Sequence, residues 1–194
     1  MTQPFRVGFV PGVTPDKWAR AWAERMPRRP LELVPLDEDA DPVGLLRAGD
    51  LAMALVRLPV DTEGLHLIRL YDERPVVMVA REHPVAAYDE IDVAELSEEH
   101  RLPDPGTTTP QAVARVAEEA GVLVVPMSVA RLHHRRDVVH VPVSGVPATT
   151  VGLAWPRESD DDRVETFVGV VRGRTVNSSR DARQAPKPGR RKRR

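Results

Sequence analysis

The chain has 194 residues, of which 41% are hydrophobic, so it can bury the core of one ordinary domain or of two small lobes. It contains no cysteine, which excludes a disulfide framework, a thiolate metal site and a thiol nucleophile. The net charge of −1 conceals an uneven distribution, because residues 180–194 hold eight basic residues and one acidic residue, a charge of +7, and residues 1–179 carry −8. The composition therefore predicts an acidic folded body followed by a disordered basic tail.

The first predicted elements are a strand and a helix. Phe5–Val10 alternates apolar and polar positions, as strands do, and Thr14 followed by Pro15 is typical of an N-cap and the first helical turn. Large apolar side chains then recur every four residues and predict the buried face of the helix: Trp18, Trp22 and Met26.

The next segments continue the same alternation. "LELVPL" predicts a second strand, Asp41 and Pro42 predict the start of a short helix, and Gly49 predicts its end. "LAMALV" is a continuous apolar run of the kind found in strands buried on both faces. This β-α-β-α-β order predicts a parallel sheet with right-handed crossovers.

The middle of the chain predicts two further strands and then a loop. The apolar runs are "LHLIRLY" and "PVVMVA", and Asp92 is placed to cap a short helix that ends at Leu96. "EEHRLPDPGTTTP" is rich in proline, glycine and threonine, so we expect a loop that ends at Thr109, the N-cap of a helix that stops at Gly121.

The last third predicts three strands and two helices. "VLVVP", "VVHVPV" and "TTVGLAW" have strand patterns, and "MSVARL" predicts a short helix after the first of them. In "SDDDRVETFVGVVRG" acidic residues precede a helical pattern, which favours a helix because they oppose the positive end of its dipole. One apolar face of that helix is expected to be buried, formed by Val164, Phe167, Val168 and Val171.

In order and spacing, these segments resemble the effector-binding domain of LysR-type transcriptional regulators. The likeness is carried by "RVGFVPG", "LLRAGDLAMALVRLP", "GLHLIRLYDERPVVMVAREHPVA", "ARVAEEAGVLVVPMSVARL", "VVHVPV", "LAWP" and "RVETFVGVVRGRTVNSSR". It is strongest to the actinobacterial kind that lacks the N-terminal helix-turn-helix and ends in a basic tail. Because only four residues precede the first strand, we expect no DNA reading of the family's usual type.

The resemblance implies an α/β fold of the periplasmic-binding-protein type II, with two lobes, central parallel or mixed sheets and a small-molecule site in the cleft between them. It implies a first lobe of about residues 1–58 and 144–179 and a second lobe of about 59–143. The second lobe is expected to be shortened, since residues 103–110 connect segments between which the family normally inserts a strand and a helix. The family also associates through its lobe faces, which implies a homodimer.

Ligands of parallel α/β sheets bind outside the carboxyl ends of the strands, near helix starts, and this places a candidate site in the cleft. Free backbone N–H groups of the loop after the first strand can receive a carboxylate, so we expect an anionic effector. Thr14 either donates its hydroxyl to the ligand or caps the helix, and Arg57 either pairs with an anionic ligand or is a surface charge near the hinge. The predicted ligand-binding residues are Gly12, Val13, Thr14, Arg57, Thr107, Thr108 and Thr109.

No catalytic pattern is visible. His133, His134, Asp137 and His140 occur close together, but adjacent histidines cannot both face one ion from a helix and neighbouring arginines repel a cation, so the sequence favours a charged turn over a metal site. The acidic residues at 37–41 are interpreted as the solvated start of a helix. We therefore expect a non-enzymatic protein without a cofactor, and the absence of a signal peptide or an apolar span predicts a cytoplasmic one.

Two other functions stay open. The tail can contact nucleic acid without sequence preference, through Arg190, Arg191, Lys192, Arg193 and Arg194. Alternatively, the domain has lost its ligand and serves as a dimerising scaffold, a hypothesis based on the expected shortening of the second lobe.

Overall fold

The computed structural model describes residues 4–103 and 108–173. The strands are β1 (Phe5–Phe9), β2 (Leu31–Pro35), β3 (Met53–Arg57), β4 (Leu65–Glu73), β5 (Pro75–Ala80), β6 (Ile91–Asp92), β7 (Arg101–Leu102), β8 (Val122–Pro126), β9 (Val138–Ser144) and β10 (Thr149–Pro156). The helices are α1 (Asp16–Arg25), α2 (Pro42–Ala48), α3 (Thr109–Ala117), α4 (Met127–Leu132) and α5 (Asp162–Val171), with short 3₁₀ helices at Pro84–Ala87 and Val93–Leu96. The basic tail lies outside the described residues.

The first sheet has the strand order β2-β1-β3-β10-β4 in the described part of the chain. β1 runs parallel to β2 and β3, as the β-α-β-α-β pattern predicts, whereas β10 runs antiparallel to β3 and β4. This sheet, together with α1, α2 and α5, is called the first lobe below.

An aromatic cluster holds α1 and α5 against the first sheet. The ring centroids of Phe5 and Trp22 are 5.1 Å apart and nearly parallel, and the ring of Phe167 is 5.8 Å from both. Trp18 and Val164 are also buried in this cluster. The predicted buried faces are confirmed for Trp18 and Trp22 of α1 and for Val164 and Phe167 of α5. The other predicted members, Met26, Val168 and Val171, are only partly buried, and Val170 is buried in their place.

The second sheet has the order β6-β9-β5-β8-β7, and β5 runs antiparallel to both β8 and β9. Alternate residues of β5 point to opposite faces, so Val76 and Met78 pack with Val116 of α3 while Val77 packs with Leu96 on the other face. This sheet, together with α3, α4 and the 3₁₀ helices, is called the second lobe below.

The chain crosses between the lobes at two places. β4 pairs along its length with β10, so it belongs to the first sheet and the first crossing follows at Arg74. The lobe boundary was expected at about residue 58, before β4, whereas the strand pairing places β4 in the first sheet. The chain returns between β9 and β10, after Ser144. Within the described residues the second sheet has five strands, as does the first. The segment 103–110, at which the shortening was expected, is described only in part, because residues 104–107 lie outside the described residues.

Two of the predicted helix starts are wrong by one residue. The carbonyl of Pro15 already accepts the first helical hydrogen bonds of α1, from Trp18 and Ala19, so Pro15 and not Thr14 is the N-cap. The N-cap of α3 is Thr108 and not Thr109, because the carbonyl of Thr108 accepts from the backbone of the first turn.

The other predicted caps can be compared in the same way. Asp41 caps α2 by accepting from the backbone N–H of Val43 (3.1 Å), and Gly49 ends α2 in the left-handed conformation, both as predicted. Asp92 likewise caps the 3₁₀ helix that ends at Leu96. The predicted end of α3 at Gly121 is wrong, because α3 ends at Ala117 and its C-cap is Glu118, whose N–H donates to the carbonyl of Ala114; a turn then connects α3 to β8.

Candidate ligand site between the two lobes

A cavity of about 770 Å³ lies between the two lobes. The first lobe contributes the loop after β1, the end of β2 and the segment that follows β2. The second lobe contributes the start of α3, one face of α4 and the residue that follows α4. The lining residues are Phe9, Pro11, Gly12, Val13, Thr14, Pro35, Leu36, Asp37, Glu38, Asp39, Thr108, Pro110, Ser128, Arg131, Leu132 and His133. The volume of the cavity lies within the range that is typical of small-molecule sites.

The loop after β1 forms the first wall and contains three of the predicted site residues. Gly12 has φ +86°, and a Cβ added there would lie 2.8 Å from Ser128 Oγ. The two lobes therefore approach closely at this point because residue 12 has no side chain. Thr14 is exposed and does not cap α1, so its hydroxyl is available to the cavity.

The start of α3 forms part of the opposite wall. Thr108 lines the cavity, and its backbone N–H donates to Gln111 Oε1 at 3.0 Å. Thr109 is not among the described lining residues, but its backbone N–H donates across the cleft to Glu38 Oε2 at 2.8 Å. The third predicted threonine, Thr107, lies outside the described residues.

Glu38 and His133 meet across the cleft. His133 Nε2 lies 3.7 Å from Glu38 Oε1, which is too long for a hydrogen bond, and this nitrogen is buried without a hydrogen-bond partner in the part of the chain that the structure describes. The sequence predicted a charged turn at His133 and gave no signal for a place in a cavity. Within the described residues, no group of three or more His, Asp or Glu side chains is arranged to hold a metal ion.

Arg57 is not among the described lining residues of the cavity. Its guanidinium pairs with Glu73 (2.6 Å between Arg57 Nε and Glu73 Oε2), donates to the carbonyl of Pro11 at 2.9 Å and approaches Ser128 Oγ at 3.4 Å. The Glu73 side chain is only 3% exposed and also accepts a hydrogen bond from Ser128 Oγ. The charge of Arg57 is therefore already balanced at the junction of the lobes.

The buried ion pair affects one neighbouring group. The pKa of Tyr71 is raised above its usual value, mainly because the phenol is partly buried and further because of the negative charge of Glu73; Arg57 acts in the opposite direction. Tyr71 lies on β4, the strand that ends at Glu73.

The acidic segment after β2 lines the cavity, although its sequence predicted only the solvated start of a helix. Asp37, Glu38 and Asp39 line it, whereas Asp41 caps α2 as predicted. A run of acidic residues before a helix gave no indication that it would face another lobe. Most of the other lining residues are apolar, so the wall combines carboxylates with hydrophobic surface.

Clefts between two α/β lobes are common places for small-molecule sites, so the architecture is that of a small-molecule-binding domain. The family model described as the LysR substrate binding domain matches residues 2–124. The chain belongs to this family, as its resemblance to LysR effector-binding domains predicted.

Two mycobacterial relatives extend the comparison. A protein of Mycobacterium avium described as a probable hydrogen peroxide-inducible genes activator is 26% identical over 209 aligned positions, which cover 92% of this chain and 67% of the relative. A protein of Mycobacterium xenopi with the same description is 33% identical over 84 positions, which cover 42% of this chain and 44% of the relative.

Solved structures of the same architecture confirm the predicted periplasmic-binding-protein-like type II fold. The BenM effector-binding domain with its effector benzoate matches with a TM-score of 0.72 and 18% identity, over 88% of this chain and 90% of that chain. The reduced OxyR regulatory domain from Pseudomonas aeruginosa matches with a TM-score of 0.69 and 22% identity, over 87% of this chain and 94% of that one. No helix in the described part of this chain is both long enough and apolar enough to cross a membrane.

Proposed function

We propose that this domain is a non-enzymatic sensor that binds a small-molecule effector in the cavity between its lobes. The observation that carries the proposal is the 770 Å³ cavity to which both lobes contribute walls. A ligand that contacts both walls has a higher affinity for the closed arrangement of the lobes than for an open one. Binding therefore shifts the population toward the closed state, which is the signal that a sensor transmits.

The effector of this proposal has a carboxylate and an apolar body. The hydroxyl of Thr14 and the guanidinium of Arg131 are donors for the carboxylate, and both residues line the cavity. The side chains of Phe9, Leu36 and Leu132 provide apolar surface for the body. Leu132 is 55% exposed, so covering it with a ligand removes apolar area from water.

The mycobacterial relatives carry the description of hydrogen peroxide-inducible activators. Peroxide modifies proteins chiefly by oxidising cysteine thiolates, and also methionines. The 194 residues contain no cysteine. For this domain we therefore propose reversible ligand binding and not thiol oxidation.

Thermal unfolding of the 194-residue protein with a panel of aliphatic acids, aromatic acids and amino acids tests the proposal. A ligand at a hundred times its dissociation constant adds about 2.7 kcal/mol, which raises the midpoint by roughly 5 to 11 °C in a domain of this size. Leu132→Trp, which places a larger side chain in the cavity, should reduce the shift. Tyr88→Trp, at a similarly exposed site outside the described lining, should leave it unchanged.

A saturable shift that Leu132→Trp reduces and Tyr88→Trp retains supports ligand binding in the cavity. If the protein unfolds cooperatively and no compound changes its midpoint, the proposal is contradicted. An equal shift in both variants places the binding site elsewhere.

A second candidate function is nucleic-acid binding through the tail, favoured by the eight basic residues among residues 180–194. Each phosphate contact releases counterions, so the affinity for single- or double-stranded DNA should fall steeply as the salt concentration rises. The measurement compares the full chain with a variant in which the last five residues are replaced by glutamine: Arg190, Arg191, Lys192, Arg193 and Arg194. Binding that is insensitive to salt or to these replacements contradicts this function.

The homodimer stays a prediction. Sedimentation equilibrium of the 194-residue protein at several concentrations measures its mass in solution directly. A mass of twice 21.5 kDa supports the dimer, and a mass of 21.5 kDa at every concentration contradicts it.

A further inference from the structure

The ionisable side chains that line the cavity carry more negative than positive charge. Three of them are carboxylates, from Asp37, Glu38 and Asp39, and one is a guanidinium, from Arg131. The side chains of Asp37 and Asp39 form no hydrogen bond or ion pair with the residues that the structure describes. A ligand whose only charge is a carboxylate would meet these two anions without compensation.

The positive charge lies on the opposite wall. Arg131 is at the end of α4 in the second lobe, is exposed, and has no ion pair within the described residues. The first lobe thus presents two unpaired carboxylates and the second lobe an unpaired guanidinium to the same cavity. A ligand that carries both signs of charge can contact both walls, and only such a ligand offsets the charge of each.

His133 supplies a second indication. The residue lines the same cavity, and its Nε2 atom is buried, lies 3.7 Å from Glu38 Oε1 and has no hydrogen-bond partner in the described part of the chain. Buried polar atoms are nearly always hydrogen-bonded, so an unpaired one beside a cavity indicates a group that completes it. An ammonium has three donors and can therefore serve a carboxylate and an imidazole nitrogen together.

We propose that the effector is a zwitterion, with a primary ammonium held by Asp37, Asp39 and His133 and a carboxylate held by Arg131. Apolar lining residues accommodate the carbon skeleton between the two charges. This inference rests on the proposed function, because it assigns the chemical class of the ligand in the same cavity. It adds an amino group to the anionic effector that the sequence predicts.

Calorimetric titration with two matched sets of compounds tests the inference. The first set is phenylalanine, 3-phenylpropanoate and 2-phenylethylamine, in which the charges of the zwitterion are close together. The second set is 6-aminohexanoate, hexanoate and hexylamine, in which they are far apart. In at least one set the zwitterion should bind ten times or more tighter than both analogues, because each analogue leaves one wall unpaired.

Variants locate the two charges. Asp37→Asn combined with Asp39→Asn should weaken the zwitterion about tenfold and leave the carboxylate analogue as tight as before or tighter. Arg131→Gln should weaken both compounds. The control combines Asp89→Asn with Asp160→Asn, two exposed carboxylates that are not among the described lining residues, and should change neither affinity.

Three results separate the inference from the proposed function. If both carboxylate analogues bind as tightly as their zwitterions, the ammonium site is wrong while ligand binding in the cavity stands. If neither set binds but a compound of the panel without an ammonium group raises the unfolding midpoint, the assignment of the ligand class is again overturned. If no compound of the panel binds, the proposed function itself fails.

Discussion

Removal of Arg57 should destabilise the protein strongly, because it leaves a buried carboxylate without its counter-charge. The side chain of Glu73 is 3% exposed, and Arg57 Nε lies 2.6 Å from its carboxylate. Breaking a buried ion pair from one side costs about 3 to 5 kcal/mol, since the remaining ion cannot be hydrated. For Arg57→Met this corresponds to a fall in the unfolding midpoint of roughly 6 to 20 °C.

The free energy of unfolding is measured by urea titration with circular dichroism on the wild type and on three variants. Arg57→Met combined with Glu73→Gln should be less destabilised than Arg57→Met alone, because no buried charge then remains. Arg47→Met, which breaks an ion pair with Asp61 on the surface, is the control and should change the free energy little. A loss below about 1 kcal/mol for Arg57→Met, or a double variant no more stable than the single one, would refute the argument.

Three further predictions concern a glycine, a cap and a tyrosine. Gly12→Ala should weaken effector binding and lower the unfolding midpoint. The control is Gly64→Ala, which should lower the midpoint alone, because Gly64 has a similar φ but no atom lies within 4 Å of the added Cβ. Equal binding by both variants argues against close approach of the lobes at residue 12. Asp161→Ala should cost about 1 kcal/mol and Asp161→Asn less, because asparagine still caps α5. A hydrogen bond from the side chain of Arg163 lowers the pKa of Asp161. The stability that the charged carboxylate adds is therefore present above pH 3.8 and is lost as the pH falls through the lowered pKa. A difference in the free energy of unfolding between wild type and Asp161→Asn that persists in stronger acid contradicts this. In a spectrophotometric titration the pKa of Tyr71 should fall in Glu73→Gln, and an unchanged value would show that the carboxylate does not act on the phenol.

Much of the first lobe was predictable because its signals are local. Asp41 and Gly49 mark the two ends of α2 by their own conformational preferences. The spacing of Trp18 and Trp22 identifies the buried face of α1, since a helix places residues four apart on one side. Such features depend on a few neighbouring residues and are therefore visible in the sequence.

The features that the sequence did not predict depend on contacts between distant segments. The pairing of β4 with β10 joins strands that are far apart in the chain, and it moves the lobe boundary to Arg74. His133 meets Glu38 only because the two lobes face each other. The pairing of Arg57 with Glu73 is likewise set by the junction of the lobes, so an arginine that was open to ligand contact on sequence grounds is already committed.

Ligand binding between the lobes is tested most directly by an amide chemical-shift map of the 194-residue protein, recorded with the compound of the panel that raises the unfolding midpoint most. We expect the largest shifts at residues on both walls of the cavity, namely Gly12, Val13, Thr14, Thr108 and Arg131. Shifts confined to the separate groove of about 480 Å³ beside α1, near Ala23 and Leu33, would contradict it.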